Sequence, residues 1–241
     1  MISVCIATYN GEKYIKEQIE SILPQLAPND EIIISDDGST DDTLKIIEDL
    51  HCSHIRIVVN KGEHGYTPNF ENAISQAKGD IIFICDQDDI WLPNKVETMA
   101  RRLEEYDMVI SDASVVNDKA TEIIVESFYS MRHSKPGFWH NLFRFSYLGC
   151  CIAFRIAILY RALPFPSNHV YCTHDNWLTI VGMCYYKTIV INDKLIKYRR
   201  HEGNTSPGGF LNETTFGFKI RYRLYIIVSL ISRWRKRNTD K

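Results

Sequence analysis

The chain has 241 residues, 45% hydrophobic and 24% charged, which suits one large domain with a sizeable core and excludes a disordered or low-complexity scaffold. A net charge of -2 argues against a nucleic-acid binder whose affinity rests on neutralising phosphates. The average hides an asymmetry: residues 1–218 hold 20 Lys/Arg against 29 acids, whereas residues 219–241 hold eight Lys/Arg against Asp240 alone.

The N-terminal segment, MISVCIATYNG, lacks the charged start and long apolar stretch of a secretory leader, and no run approaches the roughly 18 apolar residues of a membrane span. Residues 2–7 form a β-branched apolar run that predicts a strand, ended by Asn10-Gly11. Residues 14–26 carry apolar side chains at helical spacing. The pattern then repeats. A strand is expected over 31–35, stopping at Asp36-Asp37-Gly38-Ser39, and a helix over 40–50. A third strand over 55–59 and a helix over 67–76 follow, then a fourth strand over 81–85 that stops at Asp86-Gln87-Asp88-Asp89. Pro93 opens a helix over 93–106, where its missing N–H is harmless, and a fifth strand covers 108–111. The second half is less regular. Helices are expected over 139–145, 155–162 and 174–184, and strands over 149–154, 188–191 and 195–198.

Repeated strand–helix units with continuous apolar strands imply an α/β fold with a mostly parallel sheet covered by helices on both faces. In such sheets ligands bind outside the carboxyl ends of strands, and the polar clusters Thr8-Tyr9-Asn10, Asp36–Ser39, 60–62 and Asp86–Asp89 all fall there. Each cluster alone also fits a solvated turn. The seven cysteines include no Cys-x-x-Cys spacing, so buried reduced thiols and a reducing compartment are expected.

Asp86-Gln87-Asp88-Asp89 places three carboxylates within four residues. Their repulsion is relieved by a hard divalent cation such as Mg or Mn, which also accepts phosphate oxygens; capping of the next helix is the rival role. Carboxylates at Asp36 and Asp37 can accept from a base N–H or a ribose hydroxyl.

Together these segments resemble a family 2 glycosyltransferase of the GT-A fold. The matching pieces are residues 4–10 (VCIATYN), 34–43 (ISDDGSTDDT) and 79–91 (GDIIFICDQDDIW), with thinner similarity at 111–113, 149–154, 174–177 (HDNW) and 198–201 (YRRH). The His-Asp-x-Trp and Asp-Gln-Asp-Asp-x-Trp pieces are similar to the bacterial rhamnosyltransferase-like branch. The resemblance implies a donor that is a nucleoside-diphosphate sugar (UDP or dTDP; rhamnose or a hexose) and inverting transfer to a saccharide hydroxyl, expected on a polyprenyl diphosphate in surface polysaccharide or O-antigen assembly. It implies that Thr8, Tyr9 and Asn10 line the nucleotide pocket, with Tyr9 stacking on the base. Asp36 would accept from the pyrimidine N3–H, with Asp37 as the alternative. Asp86 would hold the ribose or the outer shell of the metal, and Asp88, supported by Asp89, would hold Mn or Mg; His201 would reach the diphosphate or the metal, with a solvated loop histidine as its rival role. Arg199 or Arg200 would neutralise phosphate charge. Asp175 would be the general base, with a helix cap as its rival role. Gly149, Trp91 and Trp177 would form the acceptor side, the two tryptophans having core packing as their alternative.

The chain departs from the family pattern between Asn60 and Asp80, where an Arg-Asn pair is usual; here Asn69 is left to replace part of its function. The Gln-x-x-Arg-Trp motif and membrane spans of processive synthases are not evident, so single addition is favoured. Rival readings are a sugar nucleotidyltransferase, an aspartyl phosphatase acting through Asp86 or Asp36, and a non-catalytic nucleotide- or carbohydrate-binding module. Residues 1–215 are expected to form the transferase domain, with 1–115 binding nucleotide-sugar and 116–215 the acceptor. Residues 216–241 form a basic amphipathic tail. Ile220, Leu224, Ile227, Ile231 and Trp234 share a helical face there, flanked by Arg221, Arg223, Arg233, Arg235, Lys236 and Arg237. A helix lying in a membrane interface is expected, with Trp234 and the tyrosines at headgroup level. Packing on the body or a homodimer contact is the alternative. The protein is therefore expected to be cytoplasmic and peripheral on the inner face of the plasma membrane.

Overall fold

The structure is a computed structural model describing residues 1–204 and 215–234. Its elements in chain order begin with β1 (Ile2–Thr8), α1 (Ile15–Ile22), β2 (Glu31–Asp36), α2 (Thr43–Asp49), β3 (Ile55–Val59), α3 (Tyr66–Ser75) and β4 (Ile81–Asp86). They continue with β5 (Ile90–Trp91), α4 (Lys95–Arg102), β6 (Met108–Val116), β7 (Ile123–Val125), α5 (Phe128–Arg132), α6 (Phe138–Phe143) and β8 (Ile152–Arg155). The last four are α7 (Leu159–Ala162), α8 (His174–Tyr185), β9 (Thr188–Arg199) and α9 (Phe216–Trp234).

One sheet runs in the order β3-β2-β1-β4-β8-β6-β9-β5, with β7 paired to β6. The first half is parallel, as the apolar strands predict: β1 lies between β2 and β4, with Thr8 opposite Asp36 and Ala7 opposite Asp86. The chain therefore reverses direction of travel across the sheet at β1, creating the crevice where ligands settle in α/β proteins. The second half corrects the parallel expectation. β8 inserts antiparallel between β4 and β6, and β5 and β7 are also antiparallel to their neighbours, while β6 and β9 are parallel.

Several boundaries moved for local reasons. α1 stops at Ile22 and a 3₁₀ turn follows over Leu23–Gln25, because Pro24 has no N–H for the next α-type bond. The strand expected over 149–154 begins as a 3₁₀ turn at Gly149–Cys151 and becomes extended only at Ile152. The two strands expected over 188–198 are one continuous β9, whose middle residues 192–194 are exposed. β6 extends past Ser111 through a buried Asp112, whose carboxylate accepts from the N–H groups of Ala113 and Tyr129 and from Ser127 Oγ. β5, β7 and α5 carry too few residues to give a periodic signal.

All seven cysteines are free thiols; five are buried, as expected, but Cys52 is half-buried and Cys184 exposed. Trp91 and Trp177 both belong to the core. This overturns their acceptor-side assignment. Trp177 spends its indole N–H on the carbonyl of Ala162, and Trp91 packs on Phe83 beneath the buried Lys95 ammonium.

Candidate active site

Above the carboxyl ends of β1, β2 and β4 opens a cleft of about 1550 Å³. Its walls come from the loops after those strands, the start of α3, residues 145–149, the start of α8 and residues 201–204. Thr8, Tyr9, Asn10, Asp37, Asn69, Asp86, Asp88, Gly149, Asp175 and His201 all line it. Residues from Ala7 to Asn204 therefore meet around one cavity.

The first wall is held by a residue to which the sequence assigned no role. Gln87 Oε1 accepts from Thr8 Oγ1 (2.6 Å) and from the N–H of Tyr9 (2.9 Å), while its Nε2 donates to the Tyr9 carbonyl (3.1 Å). Gly11 makes room for this clamp, since a Cβ there would fall 2.4 Å from Gln87 Oε1. The ring of Tyr9 is thus left exposed beside the cleft on a fixed backbone. Asn10 shares the wall but is spent on structure: its backbone sits at φ 48°, and its Oδ1 accepts from the N–H of Thr40.

At the end of β2 the two aspartates divide. Asp36 is buried, accepting from the N–H groups of Gly38 and Ser39 and from Ser39 Oγ. It closes the turn and does not line the cleft, which corrects the assignment of Asp36 to the base; Asp37 lines it instead. Asp37 is anchored by Asn60 Nδ2 (2.7 Å), the N–H of Gly65 (2.8 Å) and His64 Nδ1 (3.1 Å). Asn69 donates to the carbonyls of Thr8 and Ser35, bracing β1 and β2, and leaves its Oδ1 buried without a partner among the described residues.

The acidic loop after β4 also splits. Asp88 Oδ2 accepts from His201 Nε2 (2.9 Å) and Asn204 Nδ2 (3.0 Å), and the His201 ring stacks on Tyr14 with centroids 4.4 Å apart. Asp89 points inward, fully buried, and accepts from the N–H of Arg199. It does not line the cleft. Asp86, Asp89 and Cys150 bring their side-chain ligand atoms within 4.8 Å of one another, and Asp89 Oδ2 has no hydrogen-bond partner among the described residues. Burial, then repulsion from Asp89, Asp88 and Asp175, raises Asp86 well above the usual carboxylate range; burial and Asp88 raise Asp89 likewise. Carboxylates with an imidazole beside them form a hard donor set suited to Mg or Mn, and excess negative charge here is what such an ion would offset.

Arg199 lies outside the cleft lining and is engaged by the protein itself. Its buried guanidinium donates to the carbonyls of Asp88 (2.7 Å) and Asp118 (2.6 Å) and to Glu17, and lies over the Tyr14 ring, tying β9 to the acidic loop. Arg200 leans on Tyr198, outside the cleft lining. The cationic chains that do line the cleft are Lys13, paired with Asp118, and Arg132 of α5. Neither stood out in the sequence, because each sits in a segment without a motif.

Asp175 opens α8 on the opposite wall. It is not the N-cap, a position held by Thr173. Its Oδ1 accepts from Thr173 Oγ1 and from the N–H of Asn176, leaving Oδ2 without a protein partner among the described residues. Beside it His174 is buried against Phe70, with ring centroids 4.1 Å apart and both ring nitrogens without a hydrogen-bond partner among the described residues. Burial lowers its pKa to about 4, outweighing the attraction of Asp175, so it is neutral at pH 7. Gly149 is what allows this approach: a Cβ there would lie 2.7 Å from His174 Nε2 and 3.3 Å from Asp175 Cβ.

The comparisons agree with this geometry. Residues 3–163 match the family model described as glycosyl transferase family 2. Glycosyltransferase GlyG of Streptococcus pneumoniae is 31% identical over 58% of this chain and 42% of its own length. The chain thus spans about two fifths of that relative. The Escherichia coli UDP-Glc:alpha-D-GlcNAc-diphosphoundecaprenol beta-1,3-glucosyltransferase WfaP is 28% identical over 87% of this chain and 81% of its own. The Shigella flexneri dTDP-rhamnosyl transferase RfbG is 27% identical over 98% and 82%. Among solved structures, Staphylococcus aureus TarS 1–349 in complex with UDP-GlcNAc superposes with a TM-score of 0.72 at 19% identity, covering 99% of this chain and 72% of that one. The mannosyltransferase PcManGT of Pyrobaculum calidifontis, in complex with GDP-Man and Mn2+, gives 0.63 at 19% identity, covering 98% and 73%. These likenesses establish the GT-A fold.

Proposed function

The chain belongs to glycosyl transferase family 2, and we propose that it moves one sugar from a nucleoside-diphosphate donor to a hydroxyl of a saccharide acceptor, inverting the anomeric carbon. The observation that supports this reading is the facing of two carboxylate sets across one cleft: Asp88 with His201 on the strand-end wall, and Asp175 with an open oxygen on the other.

In this reading Tyr9 offers its ring to the nucleobase and Asp37 accepts from a base N–H. Lys13 and Arg132 bring positive charge to the diphosphate, the part the resemblance gave to Arg199 and Arg200. Asp88 and His201, with Asp86 beside them, would hold Mn or Mg, which when bound supplies Lewis-acid neutralisation of charge on the departing diphosphate. Asp175 Oδ2 takes the proton from the acceptor hydroxyl, and the Thr173 hydroxyl on Oδ1 fixes the carboxylate plane. Inversion needs one carboxylate base and no covalent intermediate. Dry walls built from Phe70, Tyr147 and Leu148 limit competing attack by water.

Two relatives named for dTDP-rhamnosyl and UDP-glucosyl transfer align over most of this chain, so dTDP-rhamnose and UDP-glucose are the leading donors. The diphosphoundecaprenol acceptor in one of those names supports a polyprenyl-diphosphate-linked acceptor in surface polysaccharide or O-antigen assembly, met from the cytoplasmic side of the membrane. Purified protein with Mn and a panel of nucleotide sugars should release a nucleoside diphosphate from one donor, and not pyrophosphate. Asp88→Ala and Asp175→Asn should each lower transfer by about 10² or more, the usual worth of such groups. Retained turnover in both variants would refute the assignment.

A further inference from the structure

α9 is apolar on two sides, and only one of them is used by the protein. Ile226 and Leu230 are buried against the body, and the helix is fastened there by Tyr222 Oη donating to the Leu142 carbonyl, Tyr185 Oη to the Leu230 carbonyl (2.6 Å) and Arg161 Nη1 to the Arg233 carbonyl (2.6 Å). The opposite side carries Ile220, Leu224, Val228, Ile231 and Trp234, the last three 65%, 65% and 72% exposed. At 100° per residue these five fall within an arc of roughly 120°. Arg221 borders one edge of that arc and Arg223 the other, with Lys219 beyond it, and the α9 residues include no acid. The sequence after Trp234 continues Arg-Lys-Arg. Next to this face lies the exposed ring of Phe143 on α6, sitting 4.9 Å beneath the Arg223 guanidinium; the same short helix exposes Trp139. The chain leaving α6 forms the 145–149 wall of the cleft.

We propose that this outward face of α9 lies in the interface of an anionic lipid bilayer, a placement that rests on the membrane-side location proposed above. The charge argues for that occupant. A long apolar stripe edged by cations matches acyl chains below a layer of negative headgroups. A second copy of the chain would instead bring two strongly basic tails together, at a cost in repulsion. The body is acidic, so the tail is the part of the molecule that an anionic surface attracts. The tyrosines differ from their sequence-based placement: Tyr222 and Tyr225 turn to the body, where Tyr225 Oη accepts from the N–H of Asn168, and do not serve the headgroup level.

The test is co-sedimentation of the 241-residue protein with vesicles of phosphatidylglycerol and phosphatidylethanolamine, and with phosphatidylcholine alone. Binding to the anionic vesicles should be at least tenfold tighter than to phosphatidylcholine and should weaken with added salt. Val228→Glu/Ile231→Glu should lower it at least tenfold with an unchanged melting temperature, since both side chains are already exposed; Lys219→Glu/Arg221→Glu should remove the preference for anionic lipid. Equal sedimentation of wild type and Val228→Glu/Ile231→Glu, or no binding by wild type, overturns the proposal. So does a lipid-free dimer that the same double substitution dissolves, which would assign the face to a second copy. Nucleoside diphosphate release is measured separately without vesicles. Loss of that release with binding intact refutes the catalytic reading and leaves this one standing.

Discussion

At the scale of single residues, adjacent aspartates do different work because their partners differ. Asp36 neutralises the N–H groups of its own turn, whereas Asp37 is held by side chains from the next loops and faces the cleft. Asp36→Ala should therefore cost stability, about 1–3 kcal/mol for the unpaired donors it leaves, read as a lower midpoint in urea. Asp37→Ala should raise donor KM about tenfold or more while sparing kcat, the signature of lost ground-state binding. The reverse outcome, a stable Asp36 variant with a poor donor KM, would return the base contact to Asp36. His174 gives a pH prediction. Its folded pKa is about 4 against 6.5 for an ordinary imidazole, because burial disfavours the cation. Below pH 6.5 the unfolded chain takes up a proton that the folded chain refuses, so stability falls as pH drops from 6.5 towards 4. Between pH 7 and pH 5 this group removes about 2 kcal/mol. Urea titrations of wild type and His174→Phe at the two pH values should differ by that amount; parallel losses would mean that His174 is solvated or paired in solution.

At the scale of elements, legibility followed periodicity and length. β1 through β4 and their helices were readable because each strand is a continuous apolar run closed by polar turn residues, and the four polar ends meet at the reversal point of the sheet. The second half was harder for stated reasons. Asp112 looks like a strand terminator until its three donors are seen, and Asn192-Asp193-Lys194 looks like a turn although β9 continues through it with a shift of register against β6. The antiparallel insertion of β8 has no sequence signature, since a four-residue strand shows no direction. Site residues followed the same rule. Asp88, His201 and Asp175 carry motif neighbours, but the Gln87 clamp and the Arg132 wall are legible only once the loops are placed. α9 combines both cases: its apolar spacing was readable, its second, buried face was not. That face makes the helix part of the folded body, so Leu230→Ala, which empties a buried site, should cost about 2–4 kcal/mol and shift the urea midpoint of the whole protein. Loss of α9 structure alone, with the body midpoint unchanged, would mark the helix as an independent appendage.

For the whole molecule, the near-neutral net charge is the sum of two opposed fields, and the structure gives each a location. Carboxyl groups concentrate at the strand ends, where Asp37, Asp86, Asp88 and Asp175 converge so closely that burial and mutual repulsion raise the pKa of Asp86, and of Asp89 behind it. Bare, that cleft repels a diphosphate; with a divalent cation it becomes a place where phosphate oxygens are accepted. Positive charge lies along α9, which is joined through α6 to the 145–149 wall of the same cleft, and the sequence after Trp234 adds more. On the proposed function, the two fields would divide the tasks of an enzyme with a soluble donor and a membrane-held acceptor: one end would select a cation–diphosphate pair from solution, the other a negatively charged surface. Merging them would weaken both, because basic side chains at the strand ends would compete with the cation for the same carboxylates, and acids along α9 would be repelled by the headgroups. The asymmetry visible in the bare sequence is therefore the large-scale form of the separation seen residue by residue in the cleft.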